Sequence, residues 1–177
     1  DADGGPREAS GREREAETKK FNLLAQSLKQ RLQSRADLKR LARNLRFTET
    51  LEGLRIDIVD DADVSMFAIG TSQLTPSGAK LFGEVAALVA EVPNRVMVRG
   101  HTDAAPWSAK SGTNNWRLSV DRAEVTRHYL EFRGIASERF SRIEGVADRE
   151  PYVPSDRFDP RNRRISITLG WRGAGEN

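Results

Sequence analysis

The spacing of apolar positions changes several times along this chain, and each change marks an element. Residues 1–20, DADGGPREASGREREAETKK, hold almost no apolar side chains and mix both charge signs. Such a segment cannot bury enough surface to offset chain entropy, so a flexible charged linker is expected, fraying into helix. From Phe21 to Leu45 the spacing becomes helical. Phe21, Leu24 and Leu28, then Leu38, Leu41 and Leu45, recur three and four residues apart. Gln, Lys and Arg fill the rest, which predicts an amphipathic helix with a narrow apolar stripe. A stripe of that width packs on the following domain or pairs with a second copy. Arg31, Ser34 and Arg35 interrupt the heptads and argue against a long coiled coil.

From Arg46 the pattern is that of a compact domain, expected over residues 46–172 with a tail at 173–177. Arg46 to Leu51 and Leu54 to Val59 flank Glu52-Gly53, a two-residue hairpin turn. Leu54, Ile56 and Ile58 alternate with Arg55, Asp57 and Val59, as in a half-buried strand. Asp60-Asp61-Ala62-Asp63 is a loop whose acidic triplet lacks the glycine and distal glutamate of an EF-hand. Thr75-Pro76 supplies an N-cap and a first helical position. Leu81, Val85, Leu88 and Val92 form that helix's buried stripe, and Pro93-Asn94 ends it.

A strand from Arg95 to Gly100 then leads into His101-Thr102-Asp103. A second helix is predicted from Asn115 to Arg133, stopped by Gly134. Leu118, Val125, Tyr129 and Phe132 are expected on its core side, with Asn115, Ser119 and Arg122 on the adjoining stripe. A strand near Arg139 to Gly145, a Pro- and Asp-rich loop to Arg161 and a strand from Arg163 to Trp171 complete the chain. Ile165, Ile167 and Leu169 share one face of the last strand. Hairpin, helix, strand, helix, strand, loop, strand predicts an α+β fold, with two main helices on one face of a mixed sheet.

Composition narrows the function classes. Hydrophobic residues make up 37% and charged residues 31%, so part of the chain lies outside a core. The net charge of +3, from 29 basic and 26 acidic residues, is too slight and too mixed to argue for nucleic acid or an anionic membrane. With no cysteine, disulfides, thiolate metal sites and thiol nucleophiles are excluded. No apolar run approaches the roughly 20 residues that span a bilayer, and no signal peptide is visible. The chain begins at Asp1, which reads as a fragment or processed form from which any anchor or export signal could have been removed.

The candidate chemistry sits between Gly100 and Ala123. Asp103 follows a strand end, where α/β units gather ligands, although an aspartate after Thr also serves as a turn residue. Arg122 on the edge of an apolar stripe could snorkel over the core. The pair says more than either member. A carboxylate attracts ammonium groups and a guanidinium fork attracts carboxylates, so together they suit a zwitterion such as the free end of an amino acid. Asn162-Arg163-Arg164 opens the last strand, and one of the two arginines could point at the same cleft. Trp116 is expected to bury at the helix base, and Trp107 to anchor the loop. His101 and Asp103 also form an HxD pair, which keeps a metal-dependent hydrolase open as an alternative. His128 has no acidic motif near it, and no GxSxG, HExxH or phosphate-binding glycine loop is present. A non-enzymatic protein without cofactor or metal is the expectation. A basic scaffold for acidic partners is a weaker alternative.

GHTD, NNWRLSVDRA, Gly145, Pro151 and NRRI, in that order, resemble the OmpA-like peptidoglycan-binding domain family over roughly Asn44 to Trp171. NLRFTETLEGLRIDIVDD, Met66-Phe67 and GVADREP resemble its flagellar MotB-like branch. The resemblance implies a two-layer OmpA-like sandwich that binds the meso-diaminopimelate of cell-wall stem peptides. Asp103 and Arg122 would grip its ammonium and carboxylate, Asn115 and Arg164 would support them, and Phe67 would line the cleft. It further implies peptidoglycan as partner, a homodimer, a MotA-like membrane subunit joined through an upstream segment, and a periplasmic location anchoring a flagellar stator. The upstream helix would carry the proton-accepting aspartate. Residues 1–45 would then be the segment that rearranges for anchoring. An outer-membrane tether of the same family is the alternative within it. The Ala104–Asn114 loop is longer than in outer-membrane relatives and could cover part of the site.

Overall fold

The computed structural model describes residues 6–172; the expected tail at 173–177 lies outside them. One helix, α1, runs Pro6–Ser34. It takes in most of the segment expected to be a linker and stops well short of Leu45. Its first half, rich in Arg, Glu and Ala, consists of good helix formers that need no apolar stripe to be helical. After a turn and a short 3-10 segment, Lys39–Asn44, the chain enters β1, Leu45–Glu49, and β2, Gly53–Val59. The remaining elements are α2 (Pro76–Ala90), β3 (Val96–His101), α3 (Asn115–Phe132), β4 (Phe140–Gly145) and β5 (Arg164–Gly170).

The five strands form one sheet in the order β1-β2-β5-β3-β4. β3 and β4 are parallel and the other pairs antiparallel, so the sheet is mixed as expected. The hairpin turn sits earlier than the sequence suggested. Thr50 N–H donates to Gly53 O at 2.9 Å, which leaves Leu51 exposed at the tip. Gly53 is required by close approach: a Cβ there would lie 1.9 Å from Leu169 O.

All three helices share one apolar cluster with one face of the sheet. Leu81, Val85 and Leu88 of α2, Ile56 and Ile58 of β2, and Ile165, Ile167 and Leu169 of β5 are buried in it. Phe21, Leu28 and Leu32 of α1 join the same cluster, so in this structure the narrow stripe packs on the domain. Leu38, Leu41 and Leu45 stay buried although they no longer lie on that helix, because the chain turns back beneath it. Arg31 and Arg35 pair with Glu84 of α2 at 2.7 and 3.1 Å. The opposite sheet face is polar, with Arg99 bridging Glu144 and Glu150 and Arg142 pairing with Glu52. Asp57 and Ser166, also on that face, are buried in a hydrogen bond of 2.5 Å.

α3 meets the sheet on a different stripe from the expected one. Ser119, Ala123, Thr126 and Leu130 are buried there; of the expected residues, Leu118 is buried and Val125 and Tyr129 pack half-buried against the core, whereas Phe132 is 80% exposed. The helix faces the sheet through small residues because β3 and β4 present glycines to it. A Cβ on Gly100 would stand 2.1 Å from Ser119 O, and one on Gly145 would stand 2.3 Å from Val120 N. Leucine-sized side chains do not fit between them. Gly100→Ala is expected to lower unfolding free energy by about 2–3 kcal/mol, as overpacking against backbone does. Urea denaturation checks this, and Gly112→Ala, whose added Cβ meets nothing within 4 Å but whose φ of +69° still carries left-handed strain, is the milder comparison.

Candidate functional site

Below the C-terminal end of β3 the chain is braced from several sides. Thr102 N–H donates to Ala147 O at 2.9 Å, and Ala104 N–H donates to Arg157 O at 3.0 Å. Asp103 Oδ1 accepts from Ala105 N–H at 3.0 Å, turning the loop sharply. α3 starts where Asn114 Oδ1 accepts from Arg117 N–H at 2.9 Å, a side-chain N-cap. Asn115 then ties the helix to the loop, donating Nδ2 to Asp103 O at 3.3 Å and to Ala105 O at 3.2 Å.

These elements enclose a cavity of about 290 Å³ lined by Phe67, Asp103, Asn115, Arg122 and Arg163 among others. Four of the five residues expected at the site, Phe67, Asp103, Asn115 and Arg122, therefore come together. Arg164 does not. It lies on the polar face of the sheet, donating to Glu150 O at 2.7 Å and stacking on Tyr152 at 5.6 Å. Arg163 takes its place in the cavity. The strand's own alternation distinguishes them: Arg163 shares the parity of Ile165, Ile167 and Leu169, which face the helices, and Arg164 does not.

Arg163 is engaged by two carboxylates. Its Nε donates to Asp60 Oδ2 at 3.1 Å and its Nη1 to Asp103 Oδ2 at 2.8 Å. Although burial opposes it, these two carboxylates raise the guanidinium's pKa above the ordinary arginine value. Asp60, part of the acidic triplet, also accepts from Met66 N–H at 2.9 Å. Burial lifts its pKa above the usual carboxylate value, with Met66 N–H and Arg163 pulling the other way. The triplet thus shapes the loop and holds Arg163. Among the described residues, no group of three or more His, Cys, Asp and Glu is placed to hold a metal ion.

Arg122 is different. It is 5% exposed, its Nε donates to Thr71 O at 2.8 Å, and its guanidinium lies 5.1 Å from the Phe67 ring centre. Its two Nη groups make no hydrogen bond among the described residues. Burial lowers its pKa, partly offset by the charges of Asp60 and Asp103, while Arg163 pushes it further down. Although the residue is buried, its Nη groups are not sealed off but open to the cavity, where an anion can meet them. The site therefore offers an open cationic fork beside a carboxylate that can accept further hydrogen bonds. Trp107, Ile69 and Thr71, which sequence reasoning did not place here, complete the surroundings.

His101 and Asp103 do not converge. His101 is buried on the polar face, its Nε2 3.2 Å from Ser166 Oγ. Burial, then Arg164, Arg99 and Arg55, push its pKa down to about 2, so the ring is neutral. Asp103 bonds Arg163 inside the cavity. The HxD pair is split between two sides of the sheet. Two larger hollows, of about 730 Å³ beside α1 and about 550 Å³ on the polar face, lack this combination of free cationic fork, carboxylate and apolar lining. Trp116, expected to be buried, is 50% exposed and stacks with Arg149 at 5.6 Å.

Comparison with known proteins agrees with this architecture. Residues 66–164 match the OmpA family. The chain belongs to the OmpA family. Motility protein B of Escherichia coli (strain K12) is 32% identical over 154 residues, covering 86% of the chain and 50% of that protein. The chain thus spans about half the length of the curated relative it matches. A putative MotB-like protein from Desulfovibrio vulgaris has the same fold, with TM-score 0.75, 20% identity and coverage of 93% of this chain and 99% of that one. The cell wall anchor of the type VI secretion system from Pseudomonas aeruginosa gives TM-score 0.62 at 28% identity, covering 80% and 95%. The motif order that suggested the family, GHTD before NNWRLSVDRA before NRRI, is the order in which β3, α3 and β5 build the cavity.

His101 yields a pH prediction. Its pKa lies far below the unfolded value of 6.5. The unfolded chain therefore binds the extra proton as pH falls below about 6.5, and stability present above that pH is lost toward pH 2. Between pH 7 and pH 5 this residue should cost about 2 kcal/mol of unfolding free energy. Urea denaturation at the two pH values checks it. His101→Gln should be less stable at pH 7 and show a drop smaller by about that amount.

Proposed function

We propose that this chain is the wall-binding domain of a flagellar motor stator and that its cavity grips the meso-diaminopimelate of peptidoglycan stem peptides. The observation that carries this reading is the buried Arg122, whose fork is open to the cavity beside Asp103. The ligand's carboxylate would take both Nη groups in a bidentate pair. Its ammonium would take the remaining acceptor capacity of Asp103, shared with Arg163. Such a ligand is neutral overall and suits a cleft in which Asp60, Asp103, Arg122 and Arg163 already balance. Asn115 would hold the Asp103 backbone in place, and Phe67 would back the guanidinium. Nothing in this mode needs a reaction, metal or cofactor, so the protein acts by holding.

The flagellar assignment rests on the likeness to Motility protein B across most of the chain. By that likeness the domain works in the periplasm as a homodimer. A membrane segment outside this chain would join it to a MotA-like subunit. Among the described residues, no helix is long and apolar enough to cross a membrane. A second reading keeps the same ligand but anchors another envelope machine; the likeness to the cell wall anchor from Pseudomonas aeruginosa favours it.

Co-sedimentation with purified sacculi tests the site. Arg122→Ala and Asp103→Asn should each reduce binding by at least about tenfold, because each strands a desolvated partner. Arg164→Ala should reduce it much less. Retention of wild-type binding by both cavity variants, with an unchanged circular dichroism spectrum, would refute the site.

A further inference from the structure

Trp107 crosses the mouth of the cavity. Its indole Nε1 donates to Asn115 Oδ1 at 2.7 Å, which fixes one edge of the ring against α3. The other edge reaches the segment after Phe67: a Cβ on Gly70 would lie 3.3 Å from Trp107 Cη2. Gly70 has φ of +67°, so a side chain there is disfavoured by backbone as well as by space. The same segment supplies Thr71 O to Arg122 Nε. One aromatic plate thus links the two walls of the site that carry the charged groups. Beside it Ile69 is 93% exposed, yet Ile69 and Pro106 line the cavity with Trp107. The arrangement has two halves. Asp103, Arg122 and Asn115 form a polar floor, and Ile69, Pro106 and Trp107 form an apolar rim that the chain itself leaves uncovered.

We propose that Ile69, Pro106 and Trp107 form a wall that reads the methylene chain of an amino acid whose dipolar head sits at Asp103 and Arg122. The proposal rests on the wall-binding reading and deepens it. The charged pair recognises a head that every free amino-acid end shares, so by itself it cannot select. An apolar wall next to the head adds selectivity, because each methylene it removes from water is worth a factor of about four in affinity. A short-chained head would leave Ile69 and the indole wet; a long one covers them. The wall is therefore a specificity element, and the floor supplies the grip.

NMR titration of the 177-residue chain separates the two parts. The probes are free meso-diaminopimelate and D-alanine, which carry the same head and differ in chain. The wild type should prefer diaminopimelate by at least about tenfold. Trp107→Ala should bring that preference down to about twofold. Trp107→Phe, which keeps an apolar plate but loses the Nε1–H, should retain most of the preference, and Ile69→Ser should lose part of it. A preference that survives Trp107→Ala overturns the wall. Equal defects in Trp107→Ala and Trp107→Phe also overturn it, because they assign the role to the hydrogen bond with Asn115. Arg122→Ala should lose both ligands. A wild-type protein that binds neither probe sinks the peptidoglycan reading and the wall with it, whereas loss in Arg122→Ala with an unaltered preference in Trp107→Ala sinks the wall alone.

Discussion

The arrangement depends on how closely α3 approaches the sheet. Gly100 and Gly145 lie so near the backbone of Ser119 and Val120 that only hydrogen atoms fit between them. Ser119 adds a polar lock, accepting from Ala147 N–H at 3.0 Å and donating to Trp116 O at 2.8 Å. Because the helix sits flush, a residue one turn further along it, Arg122, is carried to the end of β3 where Asp103 emerges. A bulkier contact would lift α3 and pull the guanidinium out of the cavity. Backbone proximity rather than side-chain volume is what brings the two charges together.

Charge inside the cavity is arranged unequally. Arg163 stands between Asp60 and Asp103 and is satisfied by both. Arg122 is held by a single carbonyl and by the Phe67 ring, which orient it without neutralising it. Burial works against its charge, so the protein keeps an unsatisfied cation where a ligand can reach it. The polar face of the sheet follows the opposite logic: its arginines are paired with neighbouring carboxylates, and His101 is kept neutral beneath them.

Much of this was legible in the sequence because it is local. Alternation in β2 and β5 and the Thr75-Pro76 start of α2 follow from periods of two and of about 3.6 and from capping chemistry, which need no knowledge of neighbours. The parity of β5 even contained the choice of Arg163 over Arg164. The errors came where a pattern had two physical causes. The polar residues before Phe21 resemble a linker, but Arg, Glu and Ala also favour helix, and α1 begins at Pro6. Leu38, Leu41 and Leu45 continue a helical spacing after the helix has ended, because the turned chain buries them in the same core.

From Leu45 onward the sequence by itself determined which segments are strands and helices, which strand faces are apolar and which charged residues border the β3–α3 loop, since each of these depends on neighbours along the chain. Tertiary structure alone decided that α3 meets the sheet through small residues, with Val125 and Tyr129 packed at the side of the core and Phe132 exposed. It also decided that Asp60 holds Arg163, that His101 and Asp103 part to opposite sides, and that Trp107 spans the cavity to Gly70. Each of those depends on a contact between residues far apart in sequence, and no periodicity records the distance at which two packed surfaces meet.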